Sequence, residues 1–175
     1  MNKLKFARSL LIAVSCATRP VLAHEPGAHV HGVAKLEIAI DSATLTLNLE
    51  SPLDNLLGFE HLPTNAREKL AVREMADRLN HPATLFVPTL AAQCKSVSTK
   101  LASPVLALAR VTDSDGHADL DGEFVFQCAH PQRIHDVEVR LFDAFPNMRQ
   151  IDVQLISSHG QTAIRLLPTQ RRVVW

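Results

Sequence analysis

From Ala34 to Glu50 the chain alternates apolar and polar residues with one interruption. Ala34, Leu36, Ile38 and Ile40 fall on one side, and Lys35, Glu37 and Asp41 on the other. After Asp41-Ser42-Ala43 the alternation resumes, with Leu45, Leu47 and Leu49 set against Thr44, Thr46, Asn48 and Glu50. Successive strand residues point to opposite faces, so two period-2 runs across a tight turn predict a β-hairpin with one buried face.

Ser51-Pro52-Leu53-Asp54 then reads as a helix start, with Ser51 as N-cap and Pro52 in the first helical position. Leu53, Leu56 and Leu57 would bury this short helix before Gly58 stops it. A longer helix is expected at about 64–79. Asn65 and Glu68 open it in the manner of a capping box, Val72, Met75, Ala76 and Leu79 share a face, and His81-Pro82 closes it. Residues 84–112 read as short strands and loops, and 113–122 as an acidic loop. Phe124 and Phe126 oppose Glu123, Val125 and Gln127 on a further strand, with others expected at about 136–142, 150–157, 162–167 and 172–175.

A faint repeat links LNLESPLDNLLGFE (47–60) with VRLFDAFPNMRQID (139–152), each a strand, a Pro-containing turn and a short apolar helix. The expected architecture is α+β: a single β-rich domain over 24–175, of two loosely repeated halves (about 29–60 and 117–152) with the longer helix between them.

Residues 1–23 read as a secretory signal peptide. Lys3, Lys5 and Arg8 precede an apolar run from Leu10 to Ala17, and Val21-Leu22-Ala23 supplies a cleavage site. That run is about half the ~20 residues of a membrane span. The precursor balances 18 basic against 18 acidic residues. Cleavage would remove four of the basic ones and no acid, leaving an acidic chain. With so few aromatics as well, the composition argues against a nucleic-acid binder. Cleavage would also remove Cys16, so Cys94 and Cys128 would most simply form one disulfide. Two free thiols or a thiolate metal pair suit an oxidising compartment less well.

Chemistry concentrates in the histidines. His29 and His31 lie two apart, on one side of an extended segment, where both imidazoles could face one ion. Zinc sites need further ligands. The best candidates are Glu60-His61 after the short helix and His117 with Asp119 and Asp121 in the acidic loop. Exposed histidines on a polar tail are the plainer reading. His24 would become the mature N-terminus, where its amine and ring could chelate copper together. His81, His130, His135 and His159 read as helix-end or turn residues. No G-x-S-x-G, H-E-x-x-H, phosphate loop or C-x-x-C is present, so an enzyme is not expected.

The series HVHGVAKLEIAID, LESPLDNLLGFEH, GEFVFQC, VEVRLFDAFPNMRQIDVQL and GQTAIRL resembles the ZrgA-like family of exported proteins of Gram-negative bacteria, associated with zinc uptake. The resemblance spans essentially the whole chain after the signal. It implies a periplasmic zinc-binding protein that buffers Zn2+ or passes it to components of a zinc transporter in the envelope. By position it implicates His29, His31, Glu60, His61, His117 and Asp119. Family members carry a long His/Asp/Glu-rich tract before the GEFVFQC strand; here only DSDGHADLD remains, which argues against binding many ions. The competing expectations are an envelope interaction module without metal and a copper protein built on His24.

Overall fold

The computed structural model describes residues 30–107, 118–158 and 160–175. The alternating runs form the expected hairpin, β1 (Val33–Asp41) with β2 (Thr44–Pro52), in a register from Lys35↔Glu50 to Asp41↔Thr44. Ser42 takes a left-handed φ of 54° in the turn, and its hydroxyl donates to Asp41 Oδ1 at 3.1 Å. A left-handed turn residue matches the right-handed twist of the flanking strands.

Four more strands extend the hairpin: β4 (Cys94–Ala102), β5 (Asp119–Cys128), β7 (Gln150–Ser157) and β8 (Gly160–Leu166). The six-stranded sheet runs β4-β5-β2-β1-β7-β8. Among the described residues only β1 and β7 pair in parallel, in a register from Val33↔Gln150 to Ala39↔Ile156. A smaller antiparallel sheet, in the order β3-β6-β9, consists of β3 (Phe86–Pro88), β6 (Asp136–Val139) and β9 (Arg172–Val174).

The inner face of the large sheet buries Leu36, Ile38, Leu45, Leu47, Leu49, Phe124, Phe126, Val153 and Leu155, while the small sheet buries Val137, Val139 and Val173. Phe86 and Phe124 join the two layers, with ring centroids 5.1 Å apart. Helix α2 (Ala66–Leu79) adds Val72, Met75 and Leu79. The molecule is strand-dominated α+β, as its patterning predicts. Each buried Leu, Ile, Val or Phe contributes about 1.5–3 kcal/mol of burial free energy, so the alternating runs dominate the stability.

Elsewhere the local patterns shift. Ser51 does not cap the short helix α1 (Leu53–Leu57). It is fully buried at the end of β2, Pro52 holds the cap position, and no side chain caps the helix. The Ser51 hydroxyl instead accepts from Asn55 Nδ2 at 3.1 Å, and the Leu53 N–H donates to the Ala118 carbonyl at 2.9 Å. The strand expected at 136–142 stops at Val139, because helix α4 (Leu141–Ala144) follows. Leu85 lies in a one-turn helix, α3 (Pro82–Leu85), not a strand. The two passages that resemble each other in sequence are β2–α1, in the large sheet, and β6–α4, beginning in the small one.

The outer face of the large sheet is a charged concavity of about 650 Å³, lined by Lys35, Glu37, Glu50, Lys100, Asp121, Glu123 and Asp152 among others. Its lysines are matched across strands, Lys35 to Glu50 and Lys100 to Glu123, each at 2.7 Å. Burial, then the charges of Glu50 and Asp119, push the Asp121 carboxyl above the usual aspartate range.

Candidate metal centre

His31 does not continue the β1 strand. The Val33 N–H donates to the Val30 carbonyl at 3.0 Å, and Gly32 has a φ of 86°. Residues 30–33 are therefore a type II-like turn with glycine at its left-handed position. This corrects the extended phase expected at His31, because a glycine in the left-handed region reverses the chain just before the strand. His29 itself lies outside the described residues, as do His24, His117, His159 and the segment 1–23.

The turn places the His31 imidazole against the segment that follows β2. Nε2 lies 3.0 Å from Glu60 Oε1, and Nδ1 lies 3.7 Å from Asp54 Oδ2. The His31 side chain is 49% exposed, Asp54 32%, and Glu60 only 9%. The local sequence explains how Glu60 arrives there. Helix α1 is a single turn ended by Gly58 at φ 78°, whose N–H donates to the Asp54 carbonyl at 2.9 Å. The chain doubles back through Phe59 and presents Glu60 beside the helix that carries Asp54.

Residues 93 to 118 positions further on hold this arrangement. Asn147 Nδ2 donates to the Asp54 carbonyl at 3.2 Å. The Arg149 guanidinium donates to the His31 carbonyl at 3.2 Å, and the Gly32 carbonyl accepts from the Arg149 and Gln150 N–H groups at 2.8 and 2.9 Å. The SPLDNLLGFEH and FPNMRQ segments, far apart in the chain, thus meet around one histidine.

The other described candidates have partners of their own. The His61 ring stacks on Phe59 with centroids 5.0 Å apart, and its Nδ1 lies 3.0 Å from the Leu62 carbonyl. Asp119 opens β5 in register with Pro52. His81 Nδ1 sits 2.7 Å from the Asp77 carbonyl at the helix end, and His135 Nε2 lies 3.3 Å from Asp136 Oδ2. Among the described residues, no group of three or more His, Cys, Asp or Glu side chains converges as a metal cage. Sequence reasoning missed Asp54 and Asn147 as neighbours of the centre and Asn55 and Arg149 as its supports. The co-occurrence of the segments that carry them was the only signal.

Chemically, His31 and Glu60 form an open pair of zinc-type donors. Zinc lies about 2.0–2.2 Å from nitrogen and carboxylate ligands in tetrahedral geometry, which sets two ligand atoms about 3.4 Å apart. The observed 3.0 Å need widen only slightly for an ion to enter. One imidazole cannot give both nitrogens to the same ion, and Asp54 faces the second nitrogen at ion-pair distance, 3.7 Å, beyond a direct hydrogen bond.

Cys94 and Cys128 are disulfide-bonded at facing ends of β4 and β5, the pairing an oxidising compartment supports. Among the described residues no helix is long and apolar enough to cross a membrane. No curated protein matches the chain. A family model described as ZrgA family zinc uptake protein matches residues 28–175, which include the His31 turn and both segments around it. On that match the chain belongs to the ZrgA family of zinc uptake proteins.

Proposed function

We propose that this protein is a non-enzymatic zinc binder of the periplasm, which buffers Zn2+ or delivers it to the components of a zinc uptake system. The observation that carries this reading is the His31 Nε2–Glu60 Oε1 pair at 3.0 Å with Asp54 behind Nδ1. A neutral imidazole and a carboxylate are zinc donors, and one partly exposed face leaves room for ligands from elsewhere in the chain or from a receiving protein. His29, His61, His117 and Asp119 are the further ligands assigned to this function. The exported, oxidising setting is supported by the disulfide. Copper binds such donors more tightly by intrinsic order, so zinc occupancy reflects the metal supplied.

The test is calorimetric titration of untagged mature protein with zinc. His31→Ala and Glu60→Gln should each weaken binding by about tenfold or more. Isotherms of both variants that superimpose on the parent's would overturn the reading.

A further inference from the structure

We infer that Asn55 is a positioning residue of the zinc site, holding the turn that presents His31; this rests on the zinc-binding reading above. Asn55 lies in helix α1 between Leu53 and Leu57 and is 1% exposed, although a one-turn helix beside a strand end would ordinarily bury an apolar residue there. Its amide is used on both sides. Oδ1 accepts from the Gly32 N–H at 2.5 Å, and Nδ2 donates to the Val33 carbonyl at 3.0 Å and to Ser51 Oγ at 3.1 Å.

Those contacts decide where His31 stands. The residue sits at the second position of a turn whose third residue must be left-handed, and the Gly32 N–H is buried against Asn55. Asn55 immediately follows Asp54, the carboxylate facing His31 Nδ1. One buried side chain therefore fixes the histidine's backbone to the same helical turn that carries the carboxylate facing its ring. Only a carboxamide serves, because the position needs an acceptor for one N–H and a donor for one carbonyl. Arg149 braces the other side of the turn through the His31 carbonyl, but from an exposed position. A ligand held by a half-exposed side chain on an unbraced turn would sample many placements, and ordering it on binding would cost affinity.

The experiment compares mature protein with its Asn55→Ala variant in zinc titrations, together with the variant Asn65→Ala. The latter removes a cap of helix α2 and serves as a destabilised control away from the centre. The expected result is zinc affinity weakened about tenfold or more in Asn55→Ala, and unchanged in Asn65→Ala. In the zinc-free protein, nuclear Overhauser contacts between the His31 ring and the Glu60 side chain should be present in the parent and lost in Asn55→Ala. Asn55→Asp keeps the size and the acceptor but gives no donor; it should behave like the alanine variant and stands in for it if that variant does not fold. Zinc affinity of the Asn55 variant within about twofold of the parent's, or an equal loss in Asn65→Ala, overturns the assignment. If the parent itself binds no zinc, the functional reading fails separately, and the ring contacts still decide whether Asn55 orders His31.

Discussion

Gly32 shows how one residue fixes the candidate centre. Its φ of 86° lies where side chains are rarely tolerated, and a Cβ there would run into the Arg149 guanidinium. Arg149 can swing away, but doing so breaks its bond to the His31 carbonyl, and the backbone strain of about 1–2 kcal/mol remains. Gly32→Ala should therefore lower stability by about that amount in urea unfolding and weaken zinc binding as well. Asp121 makes an opposite case. Burial and the nearby Glu50 and Asp119 charges raise its folded-state titration, so the fold disfavours its ionised form. Stability is then lost as pH rises through that titration. Asp121→Asn should melt higher than the parent at about pH 7, with the advantage gone at about pH 3, where both side chains are neutral. The histidine and Glu60 were legible as donors because imidazole and carboxylate declare their chemistry in sequence. Asn55 was not, because an asparagine in a short helix looks like a surface residue until its partners at 32, 33 and 51 are known.

Helix α2 was legible because its signals are local. Asn65 Oδ1 accepts from the Glu68 N–H at 3.0 Å, and Glu68 reaches back to the Thr64 N–H at 2.7 Å and the Thr64 hydroxyl at 2.9 Å. Those two bonds, the backbone one first, hold the Glu68 carboxyl below the usual glutamate range. Its contribution is present above the ordinary glutamate titration and is lost as pH falls through the folded-state value. Glu68→Gln should lower the melting temperature at about pH 7 and make no difference at about pH 2. Helix α1 defeated the same reasoning for a tertiary cause. The Ser51 hydroxyl that would cap it is engaged by Asn55, and the Leu53 N–H goes to Ala118 on the lead into β5. Capping statistics describe a helix against water, and α1 is never alone with water. The extended phase assigned to His31 failed because a strand pattern gives no warning of where pairing ends; here the glycine at 32 ends it.

At the scale of the molecule, the parallel pairing of β1 with β7 brings Arg149 to His31 across a separation of 118 residues. Strand patterning gives faces but not neighbours, so this juxtaposition was invisible except as two segments that occur together. The same sheet separates the disulfide from the candidate centre. β2 runs from Thr44, paired with Gln127 beside the Cys94–Cys128 bridge, to Pro52, which leads into Asp54 and Asn55. Those ends lie ~26 Å apart at the rise of an extended strand. The bridge joins residues 34 apart in sequence, and a loop of that size constrains the unfolded chain by about 3–4 kcal/mol. Replacing both cysteines by serine should therefore lower the melting temperature by about 10 °C. Zinc affinity of the variant, measured well below its new melting point, should stay within about twofold of the parent's, because nothing around His31 depends on the far end of β4 and β5. A large loss of affinity in folded protein would mean that the two ends of the sheet are coupled, and that the turn bearing His31 is held by the sheet's overall twist and not by its immediate contacts to Asn55 and Arg149.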